Sequence, residues 1–434
     1  MVTTERCGGC IFVQRPRSRW KAMNTGTRTY RAFEATGIGL DLMVVDRDTL
    51  RPRPIVDDLL KQVAGSSTVE VARGKVNWGI GAAGHILRVM ASKPTKNISG
   101  FRKKIATEIG VLNAMLSPQN AMLLPTGAHP FMDPATEAVI RTDDRRDVLA
   151  LYHQHFGGRT QGWCNGLYTH LELPFANDAE FSKLHAATRL LLPIIPALSA
   201  STPLLSGKST GFLDSRLEAH LHHQDELPEL MGPFIPEAVF SQEEYYRTIF
   251  SPIARSLAAL DPSTTIDHYS ANARGAVARF DRDTIEVRVI DGQECAGADL
   301  AIAELIVVVL KALCSGRWVS TYLQRAWSEH DLMPLFLQVI KDGGNASLVN
   351  RDYLLMFGLM KQEQMSAQKL WQHLFVELYG DLSESCRMHI AHILEHGCLA
   401  GRILRHTGKN PDHATLARVY RTLATCLAED RILQ

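Results

Sequence analysis

Residues 272–294, NARGAVARFDRDTIEVRVIDGQE, decide how this chain is read. Within them Thr284–Ile290 (TIEVRVI) alternates, so that Thr284, Glu286 and Arg288 share one face of a strand and Ile285, Val287 and Val289 share the other. A strand that sets a carboxylate beside a guanidinium either solvates that face or aims it into a polar cleft. Arg279 upstream, with Asp291 and Glu294 just beyond, adds charge to the same neighbourhood. Taken alone, these residues read as an exposed strand edge carrying a salt bridge.

Four other stretches change that reading. Phe33–Asp46 (FEATGIGLDLMVVD), Leu124–Pro134 (LPTGAHPFMDP), Gly162–Phe175 (GWCNGLYTHLELPF) and Ser199–Glu218 (SASTPLLSGKSTGFLDSRLE) precede it in this order. Together the five resemble the glutamate–cysteine ligase type 2 family, also called carboxylate–amine ligases. They are similar to its opening strand, its Gly-x-His-Pro loop, its histidine-bearing strand, its Ser-Ser-Pro and Arg-Leu-Glu stretch, and its Glu-x-Arg strand. Five segments in order are specific where any one is weak. The resemblance implies an α+β protein, with a curved antiparallel sheet of glutamine-synthetase type, flanking helices and a helical C-terminal part.

The composition is that of an ordinary soluble protein. The chain has 434 residues, 45% hydrophobic and 21% charged, enough for one large domain or two smaller ones. A formal net charge of +1 gives no sign of nucleic acid or an acidic membrane as partner. The longest apolar run, Leu305–Leu310 (LIVVVL), is too short to span a bilayer. No apolar signal core precedes the first strand, so the expected location is the cytoplasm. Eight scattered cysteines form no disulfide framework. Cys314, Cys398 and Cys426 read as reduced core thiols, and the lone Cys7–Cys10 CxxC has no second pair for zinc.

Residues 1–24 read as a disordered basic extension, and Met23 is a candidate natural start. Residues 25–298 read as the sheet domain, and 299–434 as helices packed on it. Helical spacing marks Phe101–Leu116, Asp178–Leu192, Ala301–Cys314, Ala367–Tyr379, Glu384–His396 and Pro411–Leu427, the last with Asn410 as cap.

The resemblance implies ATP-dependent joining of a carboxylate to an amine, through an acyl phosphate and with Mg²⁺ held by oxygen and histidine ligands. Carried over position by position, Asp41, His170 and Glu286 would hold metal. Arg216 and Arg279 would meet the substrate, Arg88 and Arg288 the nucleotide, and Arg279 and Arg288 the reacting groups. Guanidinium forks suit such anions. Partners would be a small amino acid or other carboxylate and an amine; a homo-oligomer is left open.

Departures from the family pattern are as informative. Gly39, Gly81 and Arg88 stand where that family carries acids, and Leu167 where it carries glutamine. Either the protein binds ATP with fewer metal ions, with Arg88 replacing one cation, or it is a catalytically silent relative that binds a metabolite or partners an active ligase. Weaker candidates read as bland. His220–His223 (HLHH) and His153–His155 read as solvated surface, Ser206–Thr210 as a turn instead of a phosphate loop because Thr202 replaces the needed glycine, and Glu172 as a salt-bridged carboxylate on the face of His170.

Overall fold

The computed structural model describes residues 30–140, 153, 157–223, 227–260 and 267–434. The basic N-terminal stretch, the Cys7–Cys10 pair and His155 lie outside the described residues.

One antiparallel sheet organises the molecule. Its strands are β1 (Gly37–Asp46), β2 (Glu70–Arg73), β3 (Val76–Ile80), β4 (Ile86–Ala91), β5 (Ala121–Leu124), β6 (Thr169–Pro174), β7 (Ala276–Arg279) and β8 (Thr284–Val287). Their spatial order is β2-β3-β4-β1-β6-β8-β7, with β5 also pairing to the second half of β1. The chain is thus an α+β protein with a helical C-terminal part.

Alternation along the strands sorts residues onto two faces. Ile38, Leu40, Leu42 and Val44 of β1, Leu87 and Val89 of β4, Leu171 and Leu173 of β6, and Ile285 and Val287 of β8 enter the main core. Each such side chain contributes about 1.5–3 kcal/mol on burial. The opposite face of β1 carries Gly39 and Asp41, then Met43 and Val45, which join a second apolar cluster. A one-residue slip would exchange these sets, so burial fixes the register. That register sets Asp41 opposite Arg88, Gly39 opposite His170, and Glu286 opposite Glu172.

Helices α1 (Val56–Ala64), α2 (Arg102–Leu116) and α3 (Asp178–Leu191) flank the sheet. Ile105, Ile109, Leu112 and Leu116 form the buried stripe of α2. Asn177 caps α3 by accepting from Glu180 N at 3.0 Å. A short helix, α4 (Ser215–Leu221), follows a tight hairpin, and α5 (Ala296–Cys314) begins the C-terminal helices. These include α6 (Glu329–Asp342), α7 (Ala367–Glu377), α8 (Glu384–His396), α9 (Leu399–Thr407) and α10 (His413–Glu429).

The structure corrects several boundaries. The regular part of the Glu-x-Arg strand ends at Val287, although Arg288 N still donates to Gly275 O and Thr169 N to Ile290 O beyond it. α5 starts five residues earlier than the periodicity suggested, since Ala296 to Ala298 are buried like the rest. α10 is capped by Asp412, whose Oδ1 accepts from Thr415 N at 2.7 Å, and not by Asn410. The described cysteines are all free, and all but Cys314 are buried. The Ser206–Thr210 stretch holds a two-residue hairpin turn at Ser206 and Gly207, both at positive φ. Among the described residues no helix is long and apolar enough to cross a membrane.

Candidate active site

On the polar face of the sheet a cavity of about 190 Å³ is bordered by β1, β4, the approach to β6, α4 and the turn after β8. Asp41, Arg88, Arg216 and Arg288 line it, as do Trp163, Tyr168, His220, His223 and Phe234.

Asp41 lies at its floor, 3% exposed. Arg88 Nε donates to Asp41 Oδ1 at 2.8 Å and Arg88 Nη2 to Oδ2 at 3.3 Å, while His170 Nε2 meets Oδ2 at 2.9 Å. Burial opposes ionisation of Asp41, but the Arg88 charge and His170 outweigh it and hold the carboxyl far below the usual carboxylate range. Arg88 responds in kind: burial works against its charge, yet Asp41 strengthens it.

Glu286 sits in a second ion cluster. Its Oε2 is 3.0 Å from Arg288 Nη2, 3.6 Å from Arg282 Nη2 and 3.8 Å from Arg279 Nη1. Burial again opposes its charge, and these arginines, Arg288 foremost, reverse the effect and hold it low. Glu172 shares the face of His170 and pairs with Arg282 at 2.9 Å. Arg279 is gripped by Asp281 at 2.9 and 3.0 Å and stacks over Tyr269, which keeps it out of the cavity lining.

Arg216 is the most constrained cation. Asp291 receives its Nε in a short ion pair, and Arg288 O accepts from its Nη1 at 3.2 Å. Asp291 is in turn fixed by Ser201 N at 2.9 Å and Thr202 Oγ1 at 3.0 Å. Arg216 is only 5% exposed, and its Nη2 is buried without a protein partner. The Arg288 Nε is likewise unpartnered. Both N–H groups are enclosed by protein atoms.

Expectations about the histidines require correction. His222 is exposed, but His220 and His223 turn inward, because three residues along a helical turn return to the same side. His220 Nε2 donates to Ala273 O at 2.9 Å, and His223 Nδ1 meets Thr160 Oγ1 at 2.9 Å. Burial pushes His223 down to about 4. Tyr168, absent from the sequence candidates, is set 4.2 Å from the His170 ring and lies beneath Arg216. Strand alternation two residues before His170 was the available signal for it.

The residues present do not fit a divalent cation. Both oxygens of Asp41 are engaged by Arg88 and His170, and Glu286 faces three arginines. Among the described residues no group of three or more His, Cys, Asp or Glu is placed to hold a metal. The missing acids are also closed by packing. A Cβ at Gly39 would lie 2.9 Å from Met90 Cβ, and one at Gly81 2.3 Å from Ile86 Cγ2. Leu167 is buried in the second apolar cluster.

Comparison with known proteins places this architecture. The glutamate–cysteine ligase family 2 model matches residues 81–421. An uncharacterized protein of Archaeoglobus fulgidus is 30% identical over 268 residues, 62% of this chain and 72% of that protein. A putative glutamate–cysteine ligase 2 of Chloroflexus aggregans is 23% identical over 181 residues, 42% of this chain and 43% of that one. The crystal structure of a Francisella tularensis glutamate–cysteine ligase in complex with AMP superposes with a TM-score of 0.60 at 10% identity, covering 92% of this chain and 90% of that one. At that identity it is the fold that is shared.

Proposed function

The chain belongs to glutamate–cysteine ligase family 2, and from that membership we propose that it is an ATP-dependent carboxylate–amine ligase whose acid substrate sits in the arginine-lined cavity. The observation that carries the proposal is a cavity on the polar face of the sheet that Arg88, Arg216 and Arg288 line together. In such a reaction a carboxylate oxygen attacks the γ-phosphorus of ATP and ADP departs. The amine then attacks the acyl carbon, loses a proton and expels phosphate. Arg216 and Arg288 orient the carboxylate, and Arg88 supplies fixed positive charge where the family pattern has an acid. No step is assigned to a metal ion, because the donors that would hold it are occupied.

Specific geometry also favours a second reading, a silent ligase-fold protein that binds its ligand without turnover. The Asp41–Arg88–His170 network closes the position from which a metal-bound nucleotide would be served. ADP release from ATP, measured over a panel of acids and amines, separates the two. Release that needs both acid and amine and is lost in Arg288→Gln supports ligation. Anion binding with no amine-dependent release across the panel supports the silent relative.

A further inference from the structure

Taking the ligation reading as the basis for the site's role, we infer that the acid held in this cavity carries a single aromatic ring, recognised by an aromatic wall and by the Tyr168 hydroxyl. Net charge does not do the selecting. Each lining arginine has a carboxylate of its own: Arg88 pairs with Asp41 at 2.8 Å, Arg288 with Glu286 at 3.0 Å, and Arg216 with Asp291 in a short ion pair. Their positive charge is balanced within the protein, so shape and ring contacts decide what fits.

Part of the lining is a run of rings. Trp163 and His223 lie 22° from parallel with centroids 6.1 Å apart. His220 follows His223 at 28° and 6.4 Å, and Phe234 meets His220 edge-on at 5.9 Å. Burial pushes both imidazoles toward the neutral form, so they present ring faces instead of charge. Tyr168 lines the same space, its ring held by the His170 ring at 4.2 Å and the Arg216 guanidinium at 5.8 Å. Its hydroxyl makes no hydrogen bond to a described residue and, unlike Arg216 Nη2, is not enclosed by protein. The volume of about 190 Å³ agrees with such a ligand. A cavity of about 150 Å³ takes up benzene, so there is room for one ring with a small substituent but not for a nucleotide.

Calorimetric titration of the full chain without ATP tests this with matched acids. Benzoate is compared with cyclohexanecarboxylate, which has the same carbon count in a puckered ring, and with open-chain glutarate; the three hydroxybenzoate isomers and AMP are further arms. Benzoate should bind more tightly than cyclohexanecarboxylate by about fivefold, through ring contacts alone. At least one hydroxybenzoate should gain a further factor of about five from the Tyr168 hydroxyl. Tyr168→Phe keeps the ring, so it should erase the second gain and leave the first. A Cβ at Gly166, also in the lining, would meet nothing closer than 3.8 Å. Gly166→Leu, with its folding checked by thermal melting, should therefore fill the cavity and abolish binding of the ring acids.

Cyclohexanecarboxylate or glutarate binding as tightly as benzoate overturns the inference, as does binding of no ring acid. AMP binding that is lost together with benzoate binding in Gly166→Leu would assign the rings to a nucleotide base and overturn it too. A hydroxybenzoate preference that survives Tyr168→Phe overturns the part given to Tyr168, and unchanged benzoate binding in folded Gly166→Leu overturns the placement in this cavity. These outcomes are independent of turnover. Ligation confined to aliphatic acids would sink this inference and leave the ligase reading standing, whereas tight benzoate binding with no ADP release would do the reverse.

Discussion

Arg88 is the residue on which the chemistry turns. The sequence showed a cation where the family pattern has an acid, and the resemblance to that family assigned Asp41, Arg216 and Arg288 to one site. All four line the cavity. Pairing was not readable, because cross-strand neighbours depend on which strands meet, and β1 meets β4 only through the topology. Under the proposed ligase reading, Arg88 brings the cavity a charge that needs no recruitment from solution and stays protonated at any working pH. Nucleotide affinity, measured by calorimetry against Mg²⁺ concentration, should therefore vary little with the metal, and Arg88→Glu should weaken it. A steep metal requirement in the wild type, or unchanged affinity in the variant, would count against Arg88 as a fixed countercharge. Reinstating acids at Gly39 and Gly81 would not be a clean converse experiment, since Met90 and Ile86 fill the space their Cβ atoms need.

At the scale of elements, long periodic helices were legible and fine phase was not. The α8 boundaries coincide with the sequence pattern, whereas α4 is too short for its periodicity to show that His220 and His223 turn inward while His222 faces solvent. Buried histidines on the longer elements carry a pH signature. His185 on α3 donates from Nδ1 to Val239 O at 2.8 Å. Burial, reinforced by Arg189, pushes it from 6.5 down to about 3. The unfolded chain takes up a proton there first, so the stability it confers is complete above the unfolded value of 6.5 and is lost as pH falls toward 3. Within that window the group contributes a slope of about 1.4 kcal/mol per pH unit. Urea unfolding of His185→Gln at several pH values should show a shallower acid slope by about that amount, whatever the variant loses at neutral pH. An unaltered slope would mean that His185 titrates alike in both states.

The whole molecule is one packing problem. The main core runs from Ile38 and Val287 on the sheet to Ile302, Trp371 and Leu427 on the C-terminal helices. The sequence reading took residues 299–434 as helices packed on the sheet domain, and α5 runs across residue 298, buried on both sides of it. Composition marks a change of secondary structure and not a separation of cores. The C-terminal end is also tied to the sheet region by charge. Arg402 Nη1 on α9 reaches Glu294 Oε1 at 2.5 Å and Leu433 O at 3.0 Å, with both side chains at most 1% exposed. Arg102 Nε on α2 holds Asp430 Oδ2 at 2.6 Å, and Gly297 N donates to Asp430 Oδ1 at 2.9 Å.

We therefore propose a single cooperative unfolding unit, and the Arg402–Glu294 pair tests it. Removing one member of a fully buried pair strands the other charge, so Glu294→Leu should cost about 3–5 kcal/mol. Replacing both with apolar groups, Glu294→Leu with Arg402→Met, should recover much of that loss, because neither charge then needs solvation. In both variants the β-sheet and helix signals should melt together, as expected when sheet and helices share one core. A single-variant loss of only about 0–1 kcal/mol would place the pair with exposed bridges. Two separated transitions would instead show that the helical part folds apart from the sheet, leaving the cavity supported by the sheet region alone.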